Sequence, residues 1–81
     1  MKLEQAITIR IKNLCKERGI TPNKLATLAG FPSATVRCIF YGRSKNVGTR
    51  TLLDLCQALD ITLYDFFNDD LFKDTELEGS Y

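Results

Sequence analysis

This 81-residue chain has few of the side chains that enzymes use for catalysis. The sequence has no histidine, the most common general base of enzymes. Its cysteines, Cys15, Cys38 and Cys56, are far apart and form no Cys-x-x-Cys pair, so we expect no metal or redox site. The acids of residues 54–78 are spread as solvated charges, and no glycine-rich phosphate loop is present. We therefore predict that the chain is not an enzyme and holds no cofactor.

The cationic side chains are concentrated in one part of the sequence. Residues 1–50 carry ten basic and two acidic side chains, a net charge of +8. Residues 51–81 carry one basic and eight acidic side chains, a net charge of −7, which leaves +1 for the whole chain. This asymmetry predicts a basic face that binds a polyanion and an acidic part held away from it. The alternative is ordinary solvated surface charge.

Size and composition indicate one small globular domain. The apolar share is 44%, and no apolar run is long enough to cross a membrane. The first residues lack the apolar core of a signal peptide. We therefore expect a cytoplasmic protein whose three thiols are reduced.

The spacing of apolar residues predicts five helices that would position these charges. The first helix covers 3–18 and ends before Gly19, and the second begins at Thr21-Pro22 and ends at Gly30. The third is capped by Ser33 and runs to about Tyr41. Thr49 caps the fourth, and Thr62 and Asp65 form a capping pair at the start of a short fifth helix. From residue 68 the chain is acidic and less periodic. The sequence thus predicts a domain over 1–67 and an acidic tail over 68–81 that is frayed or partner-dependent.

Residues 22–41 fit the twenty-residue pattern of a helix-turn-helix. Ala26 is small where the two helices cross, and Gly30 lies at the turn, where a positive φ is least costly without a Cβ. Apolar residues occupy the positions that seal the pair against other helices: Leu25, Ala29, Phe31, Val36 and Ile39. Such a turn presents its second helix as a ridge that fits the DNA major groove. The pattern therefore indicates double-stranded DNA as the polyanion.

The stretch from Leu25 to Gly42, together with the run LLDLCQALDI at 52–61, resembles the lambda-repressor-like family, also called the Xre or Cro family. The resemblance covers roughly residues 5–67. It implies an all-α, compact fold of five helices whose third helix reads bases in the major groove. It further implies a sequence-specific transcriptional regulator, a repressor of bacterial or phage origin.

The resemblance implies DNA contacts from three places in the chain. Base contacts are implied for three residues of the third helix, namely Ser33, Ala34 and Cys38. Arg37 is a cation on the same exposed side. Further contacts are implied for the loop that follows: Arg43, Ser44, Lys45 and Asn46. Phosphate contacts are implied near the start of the second helix and at the end of the third: Thr21, Asn23 and Tyr41.

Several of these assignments have alternatives. Many family members have glutamine where this chain has Pro22, and Ala34 and Cys38 form hydrogen bonds poorly. Direct readout is therefore expected to be sparse and to rest on Arg37, Ser33 and apolar contact to thymine methyls. Loop cations and DNA shape are then expected to contribute more of the selection. Arg37 is otherwise a phosphate contact or a solvated charge, and Tyr41 otherwise caps the core.

One short helix contacts too little DNA for tight specific binding, so we predict a homodimer. The candidate surface is apolar and comprises Leu63, Phe67, Leu71 and Phe72, with Leu53 as an additional candidate. Two other functions remain open. The chain could be an antitoxin-type module that binds a protein partner through its C-terminal part, or a helix-turn-helix kept as a scaffold.

Overall fold

The computed structural model describes residues 2–42 and 47–73, which contain helices and no strands. The helices are α1 (Leu3–Arg18), α2 (Pro22–Ala29), α3 (Ser33–Phe40), α4 (Thr49–Ala58) and α5 (Leu63–Phe67), followed by one 3₁₀ turn (Asp70–Phe72). The predicted all-α, five-helix architecture is confirmed. None of the helices in these ranges is long and apolar enough to cross a membrane.

A single apolar core joins all five helices. Its fully buried side chains include Ile11, Leu25, Val36, Leu55 and Phe66, one from each helix in turn. In this arrangement α2 packs on both α3 and α4, while α1 packs on α3 and α4 on α5. Burial of these side chains is the main favourable free energy that holds such short helices together.

Local capping explains where the helices begin and end. The Thr21 hydroxyl accepts a hydrogen bond from the Lys24 backbone N–H at 3.1 Å, as predicted. Thr62 and Asp65 form the predicted reciprocal capping box at the start of α5. Gly30 ends α2 with a left-handed φ of 78°.

Two predicted caps are wrong by one residue. Ser33 and Thr49 are the first helical residues of α3 and α4, and the capping positions are held by Pro32 and Gly48. Neither helix start has a side-chain capping bond. The capping positions with non-helical backbone are Pro32 and Gly48, so α3 and α4 each begin one residue earlier than a hydroxyl cap at Ser33 or Thr49 predicts.

The first part of the predicted tail packs on the domain. Phe72 is half-buried against the core, and its ring lies 4.9 Å from that of Phe67 and 5.9 Å from that of Phe66, between centroids. Asp69 forms a salt bridge with Arg10 of α1 at 3.2 Å. Asp69 therefore contacts α1, and Phe72 contacts α5 and the core. The division of the chain at residue 67 stays a prediction, and residues 74–81 lie outside the described residues.

Some apolar residues that fit the helical pattern are not buried. Leu28, which lies three residues after the buried Leu25 on α2, is 49% exposed. In α5 only Phe66 is buried, whereas Leu63 and Phe67 are 38% and 39% exposed. These short helices have room for one inward stripe only, and neighbouring apolar positions fall outside it.

Candidate nucleic-acid interface

Helix α3 has an inward face and an outward face that lie opposite each other. Val36 and Ile39 are buried in the core. The outward stripe, Ala34, Arg37, Cys38 and Tyr41, is exposed and has the i, i+3, i+4, i+7 spacing of one helix face. At about 100° per residue, its mean direction is opposite to that of Val36 and Ile39. These four residues line one shallow depression of about 280 Å³. The structure thus brings together four of the predicted site residues on the surface of one helix.

The turn before α3 and a contact with α1 fix the orientation of this helix. The Phe31 N–H donates to the Ala26 carbonyl at 2.9 Å and closes the turn that follows Gly30. Ala26 is buried, and its small side chain lets α2 and α3 pack closely. From α1, the buried Thr8 hydroxyl donates to the carbonyl of Ile39 at 3.2 Å. The inner face of α3 is therefore held at two points, and its outward stripe faces away from the core.

The start of α2 provides a second group of exposed residues. Thr21 and Asn23 are exposed, although the Thr21 hydroxyl is already used as the helix cap. Lys24, for which the sequence predicts no DNA contact, is exposed in the first turn of α2. The signal that could have identified it is a cation in the first turn of the first helix of the motif. Ser33, at the start of α3, is half-buried.

Other predicted site residues have different outcomes. Tyr41 is 70% exposed, so the alternative in which it caps the core is wrong. Its contact with phosphate stays a prediction. Arg43, Ser44, Lys45 and Asn46 lie outside the described residues.

The described cations do not all contribute to a free basic surface. Arg10, counted in the basic half, is held by Asp69 and by two backbone carbonyls. Arg50 pairs with Asp54 one turn along α4 at 3.3 Å. By contrast, Lys24 and Arg37 are exposed and form no ion pair within the described ranges. Lys12, Lys16 and Arg18 of α1 are likewise exposed and in none of these ion pairs. Positive charge that can bind an anion therefore lies on α1 as well as on α2 and at Arg37 of α3.

The cysteines divide into two environments. Cys15 and Cys56 are core residues, and burial raises the pKa of both thiols, with the cation of Arg10 opposing the shift at Cys56. Cys38 is exposed in the depression on α3. Within residues 2–42 and 47–73, no three His, Cys, Asp or Glu side chains are grouped as metal ligands.

Comparison with known proteins agrees with this geometry. The sequence model of the Cro/C1-type HTH DNA-binding domain matches residues 10–74. The chain belongs to this family. Among solved structures, the crystal structure of the prophage Lp1 protein 11 is similar, with a TM-score of 0.79 and 32% sequence identity; the match covers 93% of this chain and 100% of that chain. No match was found among curated proteins. As a Cro/C1-type domain the chain is a DNA-binding regulator, and this family is typically non-enzymatic.

Proposed function

We propose that this Cro/C1-type domain is a cytoplasmic, sequence-specific transcriptional repressor of phage or bacterial origin. The observation that carries the proposal is the outward stripe of α3, which is exposed opposite a fully buried stripe. A similar prophage protein supports the phage origin. Repression follows by steric exclusion, because a domain seated on an operator blocks access of polymerase to the same DNA.

In the proposed complex α3 lies in the major groove and its outward stripe faces the base edges. Arg37 is its cationic member, and its guanidinium donates hydrogen bonds to a guanine or to a phosphate. Thr21, Asn23 and Lys24 then lie at the edge of the groove, where they contact the phosphate backbone. In this assignment the loop residues 43–46 add further backbone contacts.

We propose that the repressor binds as a homodimer through α5. Leu63, Tyr64 and Phe67 are exposed there and, with Asn68, line a depression of about 340 Å³. Phe72 packs against the core, and Leu53 and Leu71 are half-buried, so these three predicted members offer little exposed area to a partner. The proposed dimer surface is therefore centred on the exposed Tyr64. A two-fold dimer would place two α3 helices roughly one DNA turn, about 34 Å, apart.

Sedimentation without DNA tests the dimer. Tyr64 is 76% exposed, so Tyr64→Glu places a charge in the surface without disturbing the core. The expected result is a dimer for the wild type and a monomer for Tyr64→Glu, with the exposed Gln57→Glu of α4 as a charge-matched control that stays dimeric. A wild-type monomer at high micromolar concentration contradicts the proposal.

Transcription in vitro tests repression. The template carries, across its promoter, an operator obtained by selection from random DNA. The wild type is expected to lower transcript yield in proportion to operator occupancy, whereas Arg37→Ala at equal concentration leaves the yield near that of free template. An increase of transcript on occupancy would identify an activator and overturn the repressor assignment.

A further inference from the structure

The outward stripe of α3 combines one strong hydrogen-bond donor with an apolar, thiol-lined hollow. Ala34 and Cys38 lie one turn apart on the same face and share the depression of about 280 Å³. Alanine has no hydrogen-bonding group in its side chain, and a thiol is only a weak donor and acceptor. The two residues therefore suit an apolar ligand group better than the polar edge of a base.

The major groove offers one apolar group to such a surface. Adenine, guanine and cytosine present donors and acceptors there, whereas thymine also presents a C5-methyl group. We propose that the depression between Ala34 and Cys38 receives the C5-methyl of a thymine, which specifies thymine at one position of each half-site. This inference rests on the proposed function, since α3 must lie in the major groove.

The borders of the depression support this occupant. The side chain of Ala34 is a single methyl group, so it adds apolar surface to the depression and no hydrogen-bonding group. Arg37 and Tyr41 form the other walls, and both are exposed. A contact from Arg37 to an acceptor on the neighbouring base or phosphate fixes the register of the helix. The polarisable sulfur of Cys38 then faces the methyl.

Replacement of thymine by deoxyuridine is the direct test, because it removes the methyl and leaves base pairing unchanged. Each thymine of the selected operator is replaced in turn, and affinity is measured with wild-type protein. Loss of one buried methyl group predicts about a fourfold weaker complex at one position per half-site. Other positions should change by less than twofold.

Protein variants assign the effect to the depression. Ala34→Ser and Cys38→Ser each introduce a hydroxyl, and in both variants the penalty for deoxyuridine at that position should fall towards unity. Gln57→Ala on α4 is the control and should keep the full penalty. Thermal unfolding establishes that the variants are folded; both substituted residues are exposed, so the core is unaffected.

The outcomes separate this inference from the proposed function. Specific operator binding that tolerates every deoxyuridine overturns the methyl site and leaves the repressor assignment intact. A deoxyuridine penalty that persists in both serine variants places the methyl contact elsewhere and also overturns it. Failure to select any DNA sequence overturns both proposals.

Discussion

Arg10 is expected to be the most important charged side chain for the stability of the domain. Its Nε donates to the Phe66 carbonyl at 2.8 Å and its Nη2 to the Asp65 carbonyl at 2.9 Å. Its Nη1 meets the Asp69 carboxylate at 3.2 Å, and the side chain is only 12% exposed. One guanidinium thus joins α1 to the end of α5 and to the segment that carries Phe72.

The substitution Arg10→Met keeps the aliphatic stem and removes all three bonds. Breaking a buried ion pair costs about 3–5 kcal/mol. Asp69 is 30% exposed and can be rehydrated, so we take the lower end, about 3 kcal/mol. For a domain of this size that corresponds to a fall in Tm of roughly 15 °C. Urea denaturation followed by far-ultraviolet circular dichroism measures the free energy of unfolding directly.

Asp69→Asn is the matched variant. It removes the charge of the partner but leaves both carbonyl bonds of Arg10, so we expect a loss of about 1 kcal/mol, in the range of partly exposed pairs. If Arg10→Met lies within about 1 kcal/mol of the wild type, the reasoning is refuted. Equal losses in the two variants would also contradict it, since the carbonyl bonds would then contribute nothing.

Three further predictions concern the motif and the thiols. Arg37→Ala is expected to weaken binding to the selected operator by about 1–3 kcal/mol and to relax one base position, as measured by titration of operator variants; an equal loss on all sequences would make Arg37 a phosphate contact only. At Gly30 no described residue other than its two chain neighbours has an atom within 4 Å of an added Cβ, so the φ of 78° is what restricts the residue. Gly30→Val should therefore lower the free energy of unfolding by about 1–2 kcal/mol and Gly30→Asn by less, and equal losses in urea denaturation would show that space, not φ, is limiting. With a thiol-specific disulfide reagent, the exposed Cys38 should react fast. Cys15 and Cys56 are buried, which raises the pKa of both thiols, and they should react only as the domain unfolds. Fast reaction of all three thiols would contradict the burial of Cys15 and Cys56.

The fold could be predicted well because its signals are local. The capping bond of Thr21 lies within four residues, and the left-handed turn at Gly30 is specified by the glycine itself. The outward stripe of α3 follows from helical spacing once Val36 and Ile39 are placed in the core. Ala34, Arg37, Cys38 and Tyr41 therefore share one exposed face, Ser33 lies apart from it, and the contacts of these residues with DNA stay a prediction.

The missed features depend on contacts distant in sequence or on small differences between residues. Arg10 and Asp69 are 59 positions apart, and nothing near Arg10 distinguishes it from the cations that remain exposed. Phe72 belongs to the 3₁₀ turn that packs on α1, which is also distant in sequence. Asp60 has a left-handed φ of 57°, a conformation that aspartate can adopt but that the presence of an aspartate does not by itself predict. Leu28 fits the helical spacing of a buried residue, yet it is 49% exposed.

Selection of bound DNA from a random pool, at about 0.15 M salt, tests the central claim most directly. The account predicts enrichment of a two-fold symmetric site whose half-sites are centred roughly one helical turn, about 34 Å, apart. It also predicts that Arg37→Ala fails to enrich one base position of that site. A pool that stays random after repeated rounds would contradict the assignment of α3 as the helix that reads DNA. A site enriched equally by wild type and Arg37→Ala would contradict the base contact assigned to Arg37.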